Sequence, residues 1–98
     1  MKTIFKYTLD PFVSAVKMPA GAQILTVQAQ HGQAQLWAIV DTERPDELRE
    51  FAVVGTGHPM PDDHGEYVST FQLPDLGLVF HVFAARPVGD VGASRDEA

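Results

Sequence analysis

Residues able to do chemistry are concentrated in one stretch, Val54-Gly55-Thr56-Gly57-His58-Pro59-Met60-Pro61-Asp62-Asp63-His64-Gly65-Glu66, which holds three glycines, two histidines, two prolines and three carboxylates. As a metal site, His58, Asp62, Asp63, His64 and Glu66 supply enough ligands, but their spacing matches no standard zinc or calcium loop. Neither a metal nor another cofactor is therefore expected. As an anion site, Gly55-Thr56-Gly57 could turn successive backbone N–H groups toward a phosphate, yet the Lys-Ser/Thr pair of a phosphate loop and a following helix are missing. The plainer reading is a wide turn: glycines supply left-handed backbone angles, prolines stiffen the path and His58 closes it with a hydrogen bond. Gly55, Thr56, Gly57, His58, Asp62, Asp63, His64 and Glu66 are the candidate residues for holding a ligand or a partner.

Catalysis needs a nucleophile within reach of a base. Ser14, Thr56, Ser69 and Thr70 qualify by type, as do His58, His64 and His81, but no local signature joins them. No catalytic residues are assigned and the chain is expected not to be an enzyme. His81 lies within Val79-Phe80-His81-Val82-Phe83, on the face shared with Val79 and Phe83, and reads as a hydrogen-bonded strand histidine. His31 reads as a turn residue. The sequence has no cysteine, which rules out a disulfide framework, a thiolate metal site and a cysteine nucleophile.

The elements that must position these residues are strands. Thr3–Leu9 alternates, with Phe5, Tyr7 and Leu9 on one side, and Asp10-Pro11 ends it. Phe12–Lys17 is a second strand, closed by Met18-Pro19-Ala20-Gly21. Ala22–Gln30 and Gln33–Asp41 flank His31-Gly32, a dipeptide suited to a two-residue primed turn, and predict a long hairpin. Leu25, Val27 and Ala29 should share one face of its first arm, with Ile24, Thr26, Gln28 and Gln30 on the other. The second arm is apolar on both faces, as in a central strand. Thr42–Glu50 is charged and broken by Pro45, so it reads as a solvated loop anchored by Leu48. Phe51–Val54 is a buried strand, and Tyr67–Leu73 pairs with Leu78–Ala84 in a second hairpin, with Tyr67, Ser69, Phe71 and Leu73 together on one face. The expected fold is all-β, a small antiparallel sandwich or partly open barrel of six to seven strands with minimal helix.

At 98 residues, 45% of them apolar, one core and one domain are expected, spanning residues 1–85, with residues 86–98 a flexible tail. A net charge of −6 disfavours direct nucleic-acid binding and suits steering toward a basic protein surface. No apolar run approaches the roughly 18 residues of a membrane span, so the cytoplasm is the expected compartment. Leu36, Ala38, Val40, Val79 and Phe83 fall on the second faces of their strands. That is more apolar surface than one small core covers, and it points to a homo-oligomer as readily as to a monomer.

Met18-Pro19-Ala20-Gly21-Ala22, Leu36-Trp37-Ala38-Ile39-Val40-Asp41, Gly55-Thr56-Gly57-His58-Pro59, Gly65-Glu66-Tyr67, Thr70-Phe71-Gln72 and Leu78–Phe83, in that order, resemble a family of short bacteriophage- and prophage-encoded proteins described as a domain of unknown function. The resemblance covers residues 1–84. It implies a phage-derived β domain in the cytoplasm of a host bacterium and carries over no catalytic residues. Small acidic phage proteins often bind host proteins, including bacterial defence systems. A binding protein of this kind is the leading expectation. The alternatives are an oligomeric binder of a nucleotide or other anion at Gly55–Glu66, and a structural, virion-associated module.

Overall fold

A computed structural model describes residues 1–10 and 13–85. The expected tail, residues 86–98, lies outside the described residues. The fold is all-β, as the sequence predicts. Its strands are β1 (Lys2–Leu9), β2 (Val13–Pro19), β3 (Gln23–Gln30), β4 (Gln33–Asp41), β5 (Asp46–Gly55), β6 (Glu66–Leu73) and β7 (Leu78–Ala84), with one 3-10 turn at Pro74–Leu76. They form two antiparallel sheets, ordered β1-β4-β3 and β2-β5-β7-β6. Among the described residues no helix is long and apolar enough to cross a membrane.

The inner faces of the two sheets bury one core. Val27, Leu36, Ala38 and Val40 from the first sheet meet Met18, Phe51, Phe71 and Val82 from the second. The sheets join along one flank, where Ser69 Oγ on β6 donates to the Val27 carbonyl on β3 at 2.7 Å. On the other flank β1 and β2 meet only sparsely.

The His31-Gly32 hairpin forms as expected, with φ of 54° and 77° at the two turn residues, the positive pair a primed turn requires. Elsewhere the structure corrects the sequence reading. β2 runs through Met18 and Pro19 instead of ending at Lys17, because β2 is an edge strand and Pro19 need not donate to a neighbour there. Asp46–Glu50 is strand, not loop: it pairs with Pro19–Ala15, so β5 begins directly after Pro45. A bulge between Ile24 and Thr26 turns Ile24 toward the core and leaves Leu25 42% exposed. A second bulge, between Tyr67 and Ser69, moves Tyr67 out of line with Ser69 and Phe71 and opposite Phe83, on the outer face. Leu36, Ala38 and Val40 lie inward in the core, and Trp37 and Ile39 take the outer face of β4 instead.

Strand directions decide where the polar loop goes. β7 is antiparallel to both β5 and β6 and lies between them, so β5 and β6 are parallel to each other. The chain leaving Gly55 must therefore return to the other end of the sheet before β6 starts. The inner face is filled by the core, so the connection crosses the outer face of β7.

Candidate functional site

The segment between β5 and β6 is a strap, pinned at both ends to the outer face of β7. At its start, the Thr56 N–H donates to the Val79 carbonyl at 3.1 Å, and the His58 N–H closes a turn on the Gly55 carbonyl at 3.0 Å. The His58 ring folds back over Gly55, where a Cβ would lie 3.0 Å from Nδ1, so any larger residue there would push the ring outward by a few tenths of an ångström. At its end, the His64 ring meets Phe83 edge-on, with centroids 4.8 Å apart. His64 Nδ1 lies 2.6 Å from the Gly65 carbonyl and, facing a pure acceptor, must carry the proton. Gly65 has φ of 84° and lies so close to β7 that a Cβ would come within 2.2 Å of the Ala84 carbonyl oxygen. Between these anchors, residues 56–63 are exposed, Met60 at 45%.

Beneath the strap a chain of hydrogen bonds runs across the sheet. Tyr67 Oη and Thr70 Oγ1 are 2.8 Å apart, Thr70 Oγ1 and His81 Nδ1 3.0 Å, and His81 Nε2 and Thr56 Oγ1 2.8 Å. Each hydroxyl can donate or accept, so either neutral tautomer of His81 completes the chain. The Val79 carbonyl, 3.4 Å from Thr56 Oγ1, offers that hydroxyl an outlet for its own proton. This favours the direction in which His81 Nε2 donates to Thr56 and Nδ1 accepts from Thr70. His81 is thus the hydrogen-bonded strand histidine expected, with both nitrogens engaged. The Tyr67 ring packs edge-on to Phe83 at 5.8 Å, which joins the chain to the His64 contact.

The eight candidate residues do not converge on one point. Thr56 and His64 hold the strap to β7, Gly55 and His58 shape its first turn, and Gly57 has φ of 88°. Asp62 and Asp63 stand exposed on its crest, and Glu66 opens β6 opposite Ala84. Among the described residues no three His, Asp or Glu side chains gather as metal ligands would. Of the N–H groups from Thr56 to His58, those of Thr56 and His58 are spent inside the fold, which leaves Gly57 as the donor of a nest. Tyr67, Thr70 and Phe83 belong to the site, but sequence reasoning did not assign them to it. For Thr70 the signal was present: counting back from Leu73 opposite Leu78 across the turn puts Thr70 opposite His81.

The first described sheet turns a different outer face to solvent. Lys6 Nζ reaches across β4 to Gln30 Oε1 at 2.8 Å and so covers Gln35, which is only 6% exposed and accepts from Thr8 Oγ1 at 2.9 Å. Ile4, Trp37 and Ile39 lie beside this polar bridge.

No match to the chain was found among curated proteins, and none among solved structures. The model of a family described as a domain of unknown function, DUF7352, matches residues 1–91, seven residues beyond the reach of the resemblance read from sequence, and the chain belongs to that family.

Proposed function

We propose that this domain is a non-enzymatic binding module that presents the β5–β6 strap to a basic surface on another protein. The observation that carries this reading is a strap tied down at both ends with an exposed crest. Asp62 and Asp63 supply negative charge, while Met60 and the 61% exposed Tyr67 supply apolar contact beside it. A tethered loop loses little conformational freedom on binding, and a partly apolar, charged patch steers and then holds a complementary partner. A net charge of −6 favours such an encounter. A phage origin, with a host protein or defence component as the partner, is the setting this reading adopts. It adopts the host cytoplasm as the compartment.

The test is affinity capture from bacterial lysate with the full chain, followed by titration of the recovered protein. Binding should weaken steeply with salt, and the combined change Asp62→Lys, Asp63→Lys and Glu66→Lys should cost at least about tenfold in affinity. Failure to recover a partner, or equal binding by the charge-reversed chain, would count against the reading.

A further inference from the structure

Away from the strap, the inner face of β5 carries a charge into the sandwich. Arg49 shares the inward parity of Phe51 and Val53 and is 9% exposed, the only buried charged residue among those described. One corner of its guanidinium is used by the fold: Nη1 donates to the Ala22 carbonyl at 3.1 Å and lies 3.8 Å from Glu47 Oε2. Nε, on the opposite edge, is buried and has no hydrogen-bond partner among the described residues. Burying such a donor unpaired is costly, and the Nε edge of a guanidinium is one of those that pair with a carboxylate through two parallel bonds.

This residue lines a cleft of about 280 Å³ together with Leu25, Glu66, Tyr67 and Val68. The cleft arises where both flanking strands are irregular. β3 and β6 are stitched together at Val27 and Ser69, and on this side of the stitch each strand carries its bulge, β3 between Ile24 and Thr26 and β6 between Tyr67 and Ser69. Bulges of this kind re-aim side chains and break the ladder beside functional sites. The volume suits a small molecule, being under the range typical of drug-sized ligands.

We propose that this cleft binds a free α-amino acid, with its carboxylate on the Nε edge of Arg49 and its ammonium on Glu66. A simple anion would meet Glu47 and Glu66 uncompensated, whereas a zwitterion satisfies Arg49 and Glu66 together and leaves the charge of the site unchanged. The side chain of the amino acid lies against Leu25 and Tyr67. This site shares Glu66 and Tyr67 with the proposed protein contact but is centred on Arg49 and does not depend on that reading.

The test is a titration of the full ¹⁵N-labelled chain, in which the Arg49 Nε–H gives its own signal. Leucine, glycine and lysine are the probes, with acetate and methylamine as the two half-molecules. At about 20 mM, at least one amino acid should shift the Nε–H signal and the amides of Leu25 and Tyr67, binding about tenfold or more tighter than acetate. Glu66→Gln should erase that advantage over acetate, and Arg49→Lys, which cannot pair bidentately, should weaken amino-acid binding by about tenfold. If Arg49→Lys fails to fold, the wild-type and Glu66→Gln titrations decide. The proposal is overturned if no amino acid moves the Nε–H signal, if acetate binds as tightly, or if the Glu66→Gln chain keeps the preference.

Discussion

The two sheets of this sandwich treat their outer faces differently. On the sheet of β1, β4 and β3, polar side chains of the sheet satisfy one another, with Lys6 bridging to Gln30 and Thr8 donating to Gln35. On the sheet of β2, β5, β7 and β6, the chain itself crosses the outer face of β7, and Thr56, His81, Thr70, Tyr67 and Phe83 are tied beneath or beside the strap. The difference follows from connectivity. A two-residue turn joins β3 to β4 and leaves no chain to spare. β5 and β6 are parallel with β7 between them, so their connection has to run back across the sheet. An outer face that looked available for another subunit is, at Val79 and Phe83, in contact with the protein's own strap.

The sharpest way to break this contrast is at Gly65. Gly65→Ala places a Cβ against the Ala84 carbonyl at a positive φ and should cost about 3 kcal/mol or more, read as a lowered urea midpoint. Lys6→Ala on the other face should change stability by no more than about 0.5 kcal/mol. Equal losses would mean that the strap is no more integral to the fold than the polar bridge. Next in size is His81→Ala, which strands two hydroxyls that are partly solvated and should cost about 1–2 kcal/mol. In the intact protein the ¹⁵N shifts of His81 should report Nε2 as the protonated nitrogen. A protonated Nδ1 would reverse the direction assigned to the chain.

The smallest effect lies on the sheet of β1, β4 and β3. Asp41 accepts from the Glu43 N–H at 3.1 Å, and this bond, helped by the Met1 ammonium at 3.4 Å, holds its carboxyl below its ordinary value of 3.8. A folded-state value below the unfolded one contributes stability that is present above the unfolded value and is lost as pH falls through the folded one. Asp41→Asn should therefore lower the thermal midpoint slightly at neutral pH and not at all at a pH below the folded value. A gap that stayed constant with pH would sink this assignment.

Much of this molecule was legible residue by residue. His31-Gly32 announced its hairpin, the two-sided apolar run of β4 announced a central strand, and the pairing of β6 with β7 followed from Pro74–Gly77 between them. Asp46–Glu50 misled because charge reads as solvent, yet Asp46, Leu48 and Glu50 simply occupy the outer face of a paired strand while Glu47 and Arg49 turn inward. Tyr67 and Ile24 misled for another reason. A single extra residue in each strand, Val68 and Leu25, reverses the facing of everything on one side of it, and alternation alone carries no mark of where such a residue falls.

The identity of the strap's residues was likewise plain from sequence, but their task was not. Local chemistry is enough to determine strands, turns and the left-handed glycines, because each depends on a residue and its immediate neighbours. That β7 lies between two parallel strands, that Gly65 must pass against Ala84, and that Arg49 ends beneath two facing bulges are outcomes of strand order. Strand order is set by how two whole sheets bury a shared core, so only the tertiary structure decided them.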